Sequence, residues 1–203
     1  MKKDAVSVML AVSVSVRINI MKVAVLSDSH DNIWVLRSAL QSIQDADILI
    51  CCGDLCSPFV ISIIAQSFVK PIHMVYGNND GDPFRITKNA NRFSHVQIDG
   101  ELFIGEIGGK SFAVNHYDNI GLEIAKSQTH DVVCFGHNHH HQVERFGKTL
   151  VINPGAIMGY SPLDQREVPP TFVVYDTDRD AASSFQVLFP DVCRESMSVK
   201  AYP

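Results

Sequence analysis

The chain of 203 residues contains no run of eighteen apolar residues, so no membrane-spanning helix is expected. Nor does it carry surplus positive charge. Seventeen Lys and Arg against 22 Asp and Glu leave a formal charge of -5, which disfavours a protein that grips nucleic-acid backbone broadly. A nuclease tracking a single strand would need a basic groove that this composition does not supply. Cysteine is sparse and odd in number. Cys51, Cys52 and Cys56 cluster, with Cys134 and Cys193 elsewhere, but no second pair follows at zinc-ribbon spacing. In a chain long enough to bury its own core, these read as small buried hydrophobes of a reducing, cytoplasmic compartment. No internal repeat or linker-like shift in composition appears, and one domain is the default at this length.

The first twenty residues stand apart. Lys2 and Lys3 precede an apolar stretch, but no small-x-small cleavage pattern follows before Met21. Val6, Val8, Leu10, Val12, Val14, Val16, Ile18 and Ile20 alternate at strand period. The expected organisation is an upstream extension over 1–20 that is not part of the native domain, a domain over 21–190 beginning at Met21, and a tail over 191–203.

What the chain has in excess is histidine, nine residues, seven of them beyond position 90. From Met21 onward an apolar run of strand length repeatedly ends in a short cluster of Asp, Asn, His and Gly. Val23–Leu26 leads into Asp28-Ser29-His30, Ile48–Cys52 into Gly53-Asp54, and Ile72–Tyr76 into Gly77-Asn78-Asn79-Asp80. Phe112–Val114 leads into Asn115-His116, Val132–Phe135 into Gly136-His137-Asn138-His139, and Leu150–Ile152 into Asn153-Pro154-Gly155. Unbroken apolar runs suit strands buried on both faces. Helical spacing appears at Ile33–Ile43, Phe59–Phe68 and Ile120–Ala125, while the stretch from Phe93 to Val114 reads as antiparallel hairpins. Strands at Phe172–Tyr175 and Phe185–Phe189 close the domain. The fold class expected is α/β, with two mixed sheets packed as a sandwich flanked by helices.

Loops converge at the carboxyl ends of strands in such folds, and ligands gather there. Asp28, His30, Asp54, Asn78, His116, His137 and His139 all fall at strand ends: two carboxylates, one amide and four imidazoles. Each fragment alone has a plain reading as turn chemistry or a solvated His-rich loop. Together they exceed what one ion uses and suit two ions sharing a carboxylate.

This ordered set resembles the calcineurin-like metallophosphoesterases. Asp28-Ser29-His30 matches the family's D-x-H, Gly53-Asp54 its G-D, Gly77-Asn78-Asn79-Asp80 its G-N-x-D/E, His116 its isolated histidine, and Gly136-His137-Asn138-His139 its G-H-x-H. The resemblance runs from Met21 to about Tyr175 and is nearest to the small single-domain phosphodiesterase branch. It implies one divalent ion on Asp28, His30, Asp54 and His139 and a second on Asp54, Asn78, His116 and His137, with Asp54 bridging. It also implies attack on a small phosphodiester by hydroxide formed between the ions. The donor set suits Mn²⁺, Fe²⁺, Co²⁺, Ni²⁺ or Zn²⁺, with Mn²⁺ the first expectation. By the same resemblance Asn78 and Asp80 belong to the catalytic group, Asp80 by supporting the ligands, and Asn32, Asn79 and Arg85 are candidate substrate contacts.

The chain departs from the family's pattern at Asp31, where a Gly is frequent, at Ala156, where a Ser is frequent, and in two further places. Asn79 stands where many members carry a His, and an amide donates a hydrogen bond but delivers no proton at neutral pH. Asn115-His116-Tyr117-Asp118 replaces the branch's Thr-His-Gly-His. The expected partner is a small phosphodiester or nucleotide, with no membrane and no broad nucleic-acid binding; a homo-oligomer is compatible with the sequence. The alternative is a non-catalytic interaction scaffold on the same fold, like a retromer subunit, against which the full ligand set argues.

Overall fold

The computed structural model describes residues 20–188 and 198–202. Apart from Ile20, the expected upstream extension lies outside the described residues, as does the expected boundary at 190.

Two mixed sheets form the centre. In the first, β1 (Lys22–Leu26), β2 (Ile48–Cys51), β3 (Ile72–Met74) and β4 (Val96–Ile98) run parallel. On the other side of β1 the antiparallel strands β12 (Thr171–Asp176), β13 (Ala181–Leu188) and β14 (Ser198–Tyr202) complete seven strands in the order β14-β13-β12-β1-β2-β3-β4. The second sheet has the order β5-β6-β7-β9-β8, from β5 (Leu102–Ile107), β6 (Lys110–Asn115), β7 (Val132–Cys134), β8 (His141–Phe146) and β9 (Thr149–Pro154). A small hairpin, β10 (Tyr160–Ser161) with β11 (Arg166–Glu167), stands apart.

The strand alternation explains the layers. Val23 and Val25 of β1 face the second sheet, packing with Phe112, Val132, Ile152 and Tyr175. The intervening Ala24 and Leu26 face the helices α1 (Ile33–Ser42), α2 (Val60–Ser67) and α3 (Pro83–Ala90). Both faces are apolar, which is why the runs read as continuous. In α1 the buried Val35, Leu36, Ala39 and Leu40 form one stripe, and the Asn32 side chain caps its first turn. On the outer face of the second sheet Ala113, Val133 and Val151 pack against α4 (Asp118–Ser127) through Ala125.

Two expectations need correction. The stretch from Phe93 to Val114 is not a series of hairpins. Only β5 and β6 pair antiparallel, across Gly108-Gly109, whereas β4 pairs parallel with β3 and the chain crosses between sheets after Asp99-Gly100. A parallel partner needs a crossover, and α3 supplies it. That helix starts where Asp82 accepts the N–H of Arg85 at 3.0 Å and Pro83 occupies the first turn. The second correction concerns the expected tail: its residues 198–202 form β14, at the edge of the larger sheet.

Candidate metal centre

The loops after β1, β2, β3, β6 and β7 meet at one end of the sandwich, and all seven expected donors lie there. Asp28 Oδ1 is 3.4 Å from His139 Nε2 and 3.8 Å from His30 Nε2, and those two ring nitrogens are 3.2 Å apart. Asp54 Oδ2 lies 3.4 Å from both His30 Nε2 and His116 Nε2, and so stands between two groups of donors. On its far side Asn78 Oδ1 is 3.0 Å from His116 Nε2 and 2.9 Å from His137 Nδ1. Asp28, Asp54, His116 and His139 form the buried floor, while His30, Asn78 and His137 open toward solvent.

The imidazoles are aimed by their second nitrogens. His116 Nδ1 lies 2.7 Å from the Cys52 carbonyl and His139 Nδ1 2.5 Å from that of Tyr160, so each donates there and leaves its Nε2 lone pair facing the cluster. Nδ1 of His30 rests 3.3 Å from Cys56 Sγ. Asn138 and Asn153 brace the His137–His139 loop: Asn153 Nδ2 donates to the Gly136 carbonyl at 3.1 Å and to Asn138 Oδ1 at 2.8 Å, and Asn138 Nδ2 donates to Asp118 at 3.2 Å. Composition marked Asn153 only as a turn residue, and nothing in the sequence pointed to Cys56 or to Tyr117, whose ring stands 5.1 Å from that of His137.

Close backbone approach has a cost in side chains and in strain. A Cβ on Gly77 would sit 2.1 Å from Asp54 Oδ1, and one on Gly136 2.4 Å from Asp28 Oδ2. Asp28, His30, Asp54, His137 and His139 all have positive φ, between 38° and 72°. Such backbone costs about 1–3 kcal/mol per residue and persists where the surroundings dictate it. Five such residues in one site are hard to account for without a function that needs their geometry.

The donor set fits divalent cations. Asp28 Oδ1 is buried with no hydrogen-bond partner, pointing at two imidazole nitrogens whose lone pairs also converge. Burial disfavours the Asp28 carboxylate, but His139 and His30 outweigh it and hold its pKa well below the ordinary range. Asp54 behaves likewise, lowered by His116 against the effect of burial. Burial also opposes protonation of His116 and His139, yet the neighbouring Asp54 and Asp28 carboxylates raise both. A cation seated here would compete with protons for the same imidazole nitrogens.

Four other expected residues play different parts. Asp80 turns its two oxygens to the N–H groups of Asp54, Leu55, Cys56 and Gly77, accepting them at 2.8–3.1 Å and so tying the loops that carry the donors. Asn79 faces the site, donating its amide to Asp54 Oδ2 and its N–H to Oδ1, both at 2.8 Å. Asn32 lies beside His30, but its oxygen caps α1 and its amide donates to the Met158 carbonyl at 3.1 Å. Arg85 is exposed and pairs with Asp82, the cap of its own helix, at 3.1 Å. His140 and His141 bond to Asp164 and Ser184, outside the cluster.

The sequence model of the calcineurin-like phosphoesterase superfamily domain matches residues 21–180. A phosphodiesterase of Methanocaldococcus jannaschii is 34% identical over 144 residues, covering 69% of this chain and 86% of that protein. Among solved structures, an archaeal phosphodiesterase superposes with a TM-score of 0.72 at 30% identity, over 81% of this chain and 98% of that one. Vacuolar protein sorting 29 of Entamoeba histolytica, solved with zinc, shares the fold with a TM-score of 0.61 at 20% identity, over 90% of this chain and 98% of that one.

Proposed function

The chain belongs to the calcineurin-like phosphoesterase superfamily, and from that membership and the geometry above we propose that it is a metal-dependent phosphodiesterase hydrolysing a small phosphodiester or nucleotide in the cytoplasm. The observation that carries this reading is the position of Asp54 Oδ2, 3.4 Å from an imidazole on each side, with a complete donor group beyond each. Asp28, His30, Asp54 and His139 would hold one divalent ion, and Asp54, Asn78, His116 and His137 the other, with Mn²⁺ the first candidate. When bound, such a pair supplies Lewis-acid stabilisation of phosphoryl oxygens and lowers the pKa of a water between them.

The residues of the chain do the rest. The buried carboxylates and carbonyl-anchored imidazoles hold the donors in fixed directions, so little reorganisation accompanies the build-up of charge. Asn79, hydrogen-bonded to Asp54, fixes the shared carboxylate but brings no proton for a departing alkoxide. The better substrates are therefore diesters whose leaving group is stable as an anion. Hydrolysis of bis-p-nitrophenyl phosphate with added Mn²⁺ tests the assignment. Asp54→Asn and His116→Ala are expected to lose at least about 10²–10³-fold in kcat, the scale for removing one electrostatic stabiliser. Undiminished turnover in both variants would sink it.

A scaffold role has one observation in its favour, an exposed apolar patch of Leu102, Ile104 and Ile120 on β5 and α4. Protein purified without metal, inert toward every diester with Mn²⁺ supplied, would favour that role over catalysis.

A further inference from the structure

A cavity of about 910 Å³ opens beside His30, between the start of α1, the β10–β11 hairpin and the end of β13. We infer that it is a binding site for one ester arm of the substrate, and that the arm is an uncharged aromatic group of the nucleoside class. The inference rests on the phosphodiesterase reading and specifies its substrate.

Size comes first: the volume lies in the range of small-molecule sites. The walls are apolar and aromatic, formed chiefly by Trp34, Met158, Tyr160, Val168, Pro170 and Leu188. Tyr160 is 37% exposed, and its ring and that of Trp34 border the space, where a flat partner would stack. Charge then excludes the alternatives. Among the described residues no Lys or Arg lines the cavity, while the carboxylates of Asp31 and Glu167 do. Asp31 is held by the Ser57 N–H and hydroxyl at 2.9 and 2.6 Å, leaving the exposed Glu167 and the half-buried Gln186 to meet hydroxyls or a base edge. A second phosphate in this space would find repulsion and no cation.

The cavity is also fixed relative to the donors. The Tyr160 carbonyl receives the His139 ring, Asp164 of the hairpin meets His140 at 2.6 Å, and Asn32 ties the Met158 carbonyl to the start of α1. An arm seated there therefore holds its phosphate at the cluster's open edge.

Trp34 is the only tryptophan of the chain, so its fluorescence reports occupancy without turnover or metal. Metal-free protein would be titrated with adenosine, ADP and glycerol. Adenosine should change Trp34 emission saturably, ADP should bind at least tenfold more weakly, and glycerol should have no effect. Tyr160→Ala should weaken adenosine binding at least fivefold, and Val168→Lys should shift the preference toward ADP, with urea midpoints checking that both variants fold. No saturable response to adenosine, equal or tighter binding of ADP, or indifference to both variants overturns the inference. Adenosine binding retained in a protein that hydrolyses nothing would fault the enzymatic reading alone. Hydrolysis of bis-p-nitrophenyl phosphate with no adenosine response would fault only the cavity's role.

Discussion

The backbone N–H of Asp54 donates to the side chain of Asp80 across 3.1 Å, so that one acid positions the other. Asp54 stands with its carboxylate between two groups of imidazoles, while Asp80 gathers four N–H groups from the loops after β2 and β3. Burial raises the pKa of Asp80, against the pull of these N–H donors.

Asp80→Asn keeps the shape but loses half of the acceptor capacity. Two buried N–H groups left unpaired cost about 1–3 kcal/mol each, so destabilisation by roughly 2–6 kcal/mol is expected in urea titrations. Weaker metal binding should accompany it, because Asp54 and Gly77 lose their anchor. A variant as stable as the parent would show that the four bonds are dispensable.

Asn79→His restores a proton donor next to Asp54. Positioned general acids contribute about 10²–10⁴-fold, and the benefit concentrates on poor leaving groups. The ratio of alkyl to aryl diester hydrolysis should therefore rise by at least about tenfold, read from kcat on paired substrates. An unchanged ratio would mean that the side chain at 79 does not reach the leaving oxygen.

The metal-free protein should respond to pH in a definite sense. His116 and His139 have folded-state pKa values above the ordinary 6.5, so their stabilising contribution is full below 6.5 and is lost as pH rises through the raised values. Thermal melts in a chelator should fall over that window. Metal binding must displace the same protons, so calorimetry near pH 6.5 in buffers of different ionisation enthalpy should register proton release on adding Mn²⁺. Melts that rise with pH, or binding without proton release, would contradict the assignment.

Loaded protein should be the more stable form. At a metal concentration one hundred times Kd the gain is about 2.7 kcal/mol, or roughly 5–10 °C in Tm for a chain of this size. Differential scanning with and without chelator measures it, and Asp28→Asn should abolish most of the difference.

Much of the site was legible because its chemistry is local: Asp, Asn and His following apolar runs mark strand ends whatever the order of strands, and the structure gathers all seven. The layering was legible for a similar reason, since runs such as Ile48–Cys52 are apolar at every position. Pairing direction was not. Whether Val96–Ile98 lies parallel to β3 depends on where α3 returns the chain, and that helix announced itself only through Asp82-Pro83. Arg85, a candidate substrate contact in sequence, pairs with Asp82 at the cap of its own helix. The supporting contacts of Asn153, Cys56 and Tyr160 join residues 15 to 26 positions apart, and no local signal encodes such separations.

The donors are divided between the sheets: Asp28, His30, Asp54 and Asn78 follow strands of the seven-stranded sheet, and His116, His137 and His139 follow strands of the five-stranded one. Ions seated among them would act as rivets through the sandwich. The four described cysteines are free, so among the described residues no covalent bridge shares that duty. The two halves of the molecule would then be joined by a fastening that a chelator undoes and a metal salt restores, making cohesion at this end of the protein a function of the ions available to it.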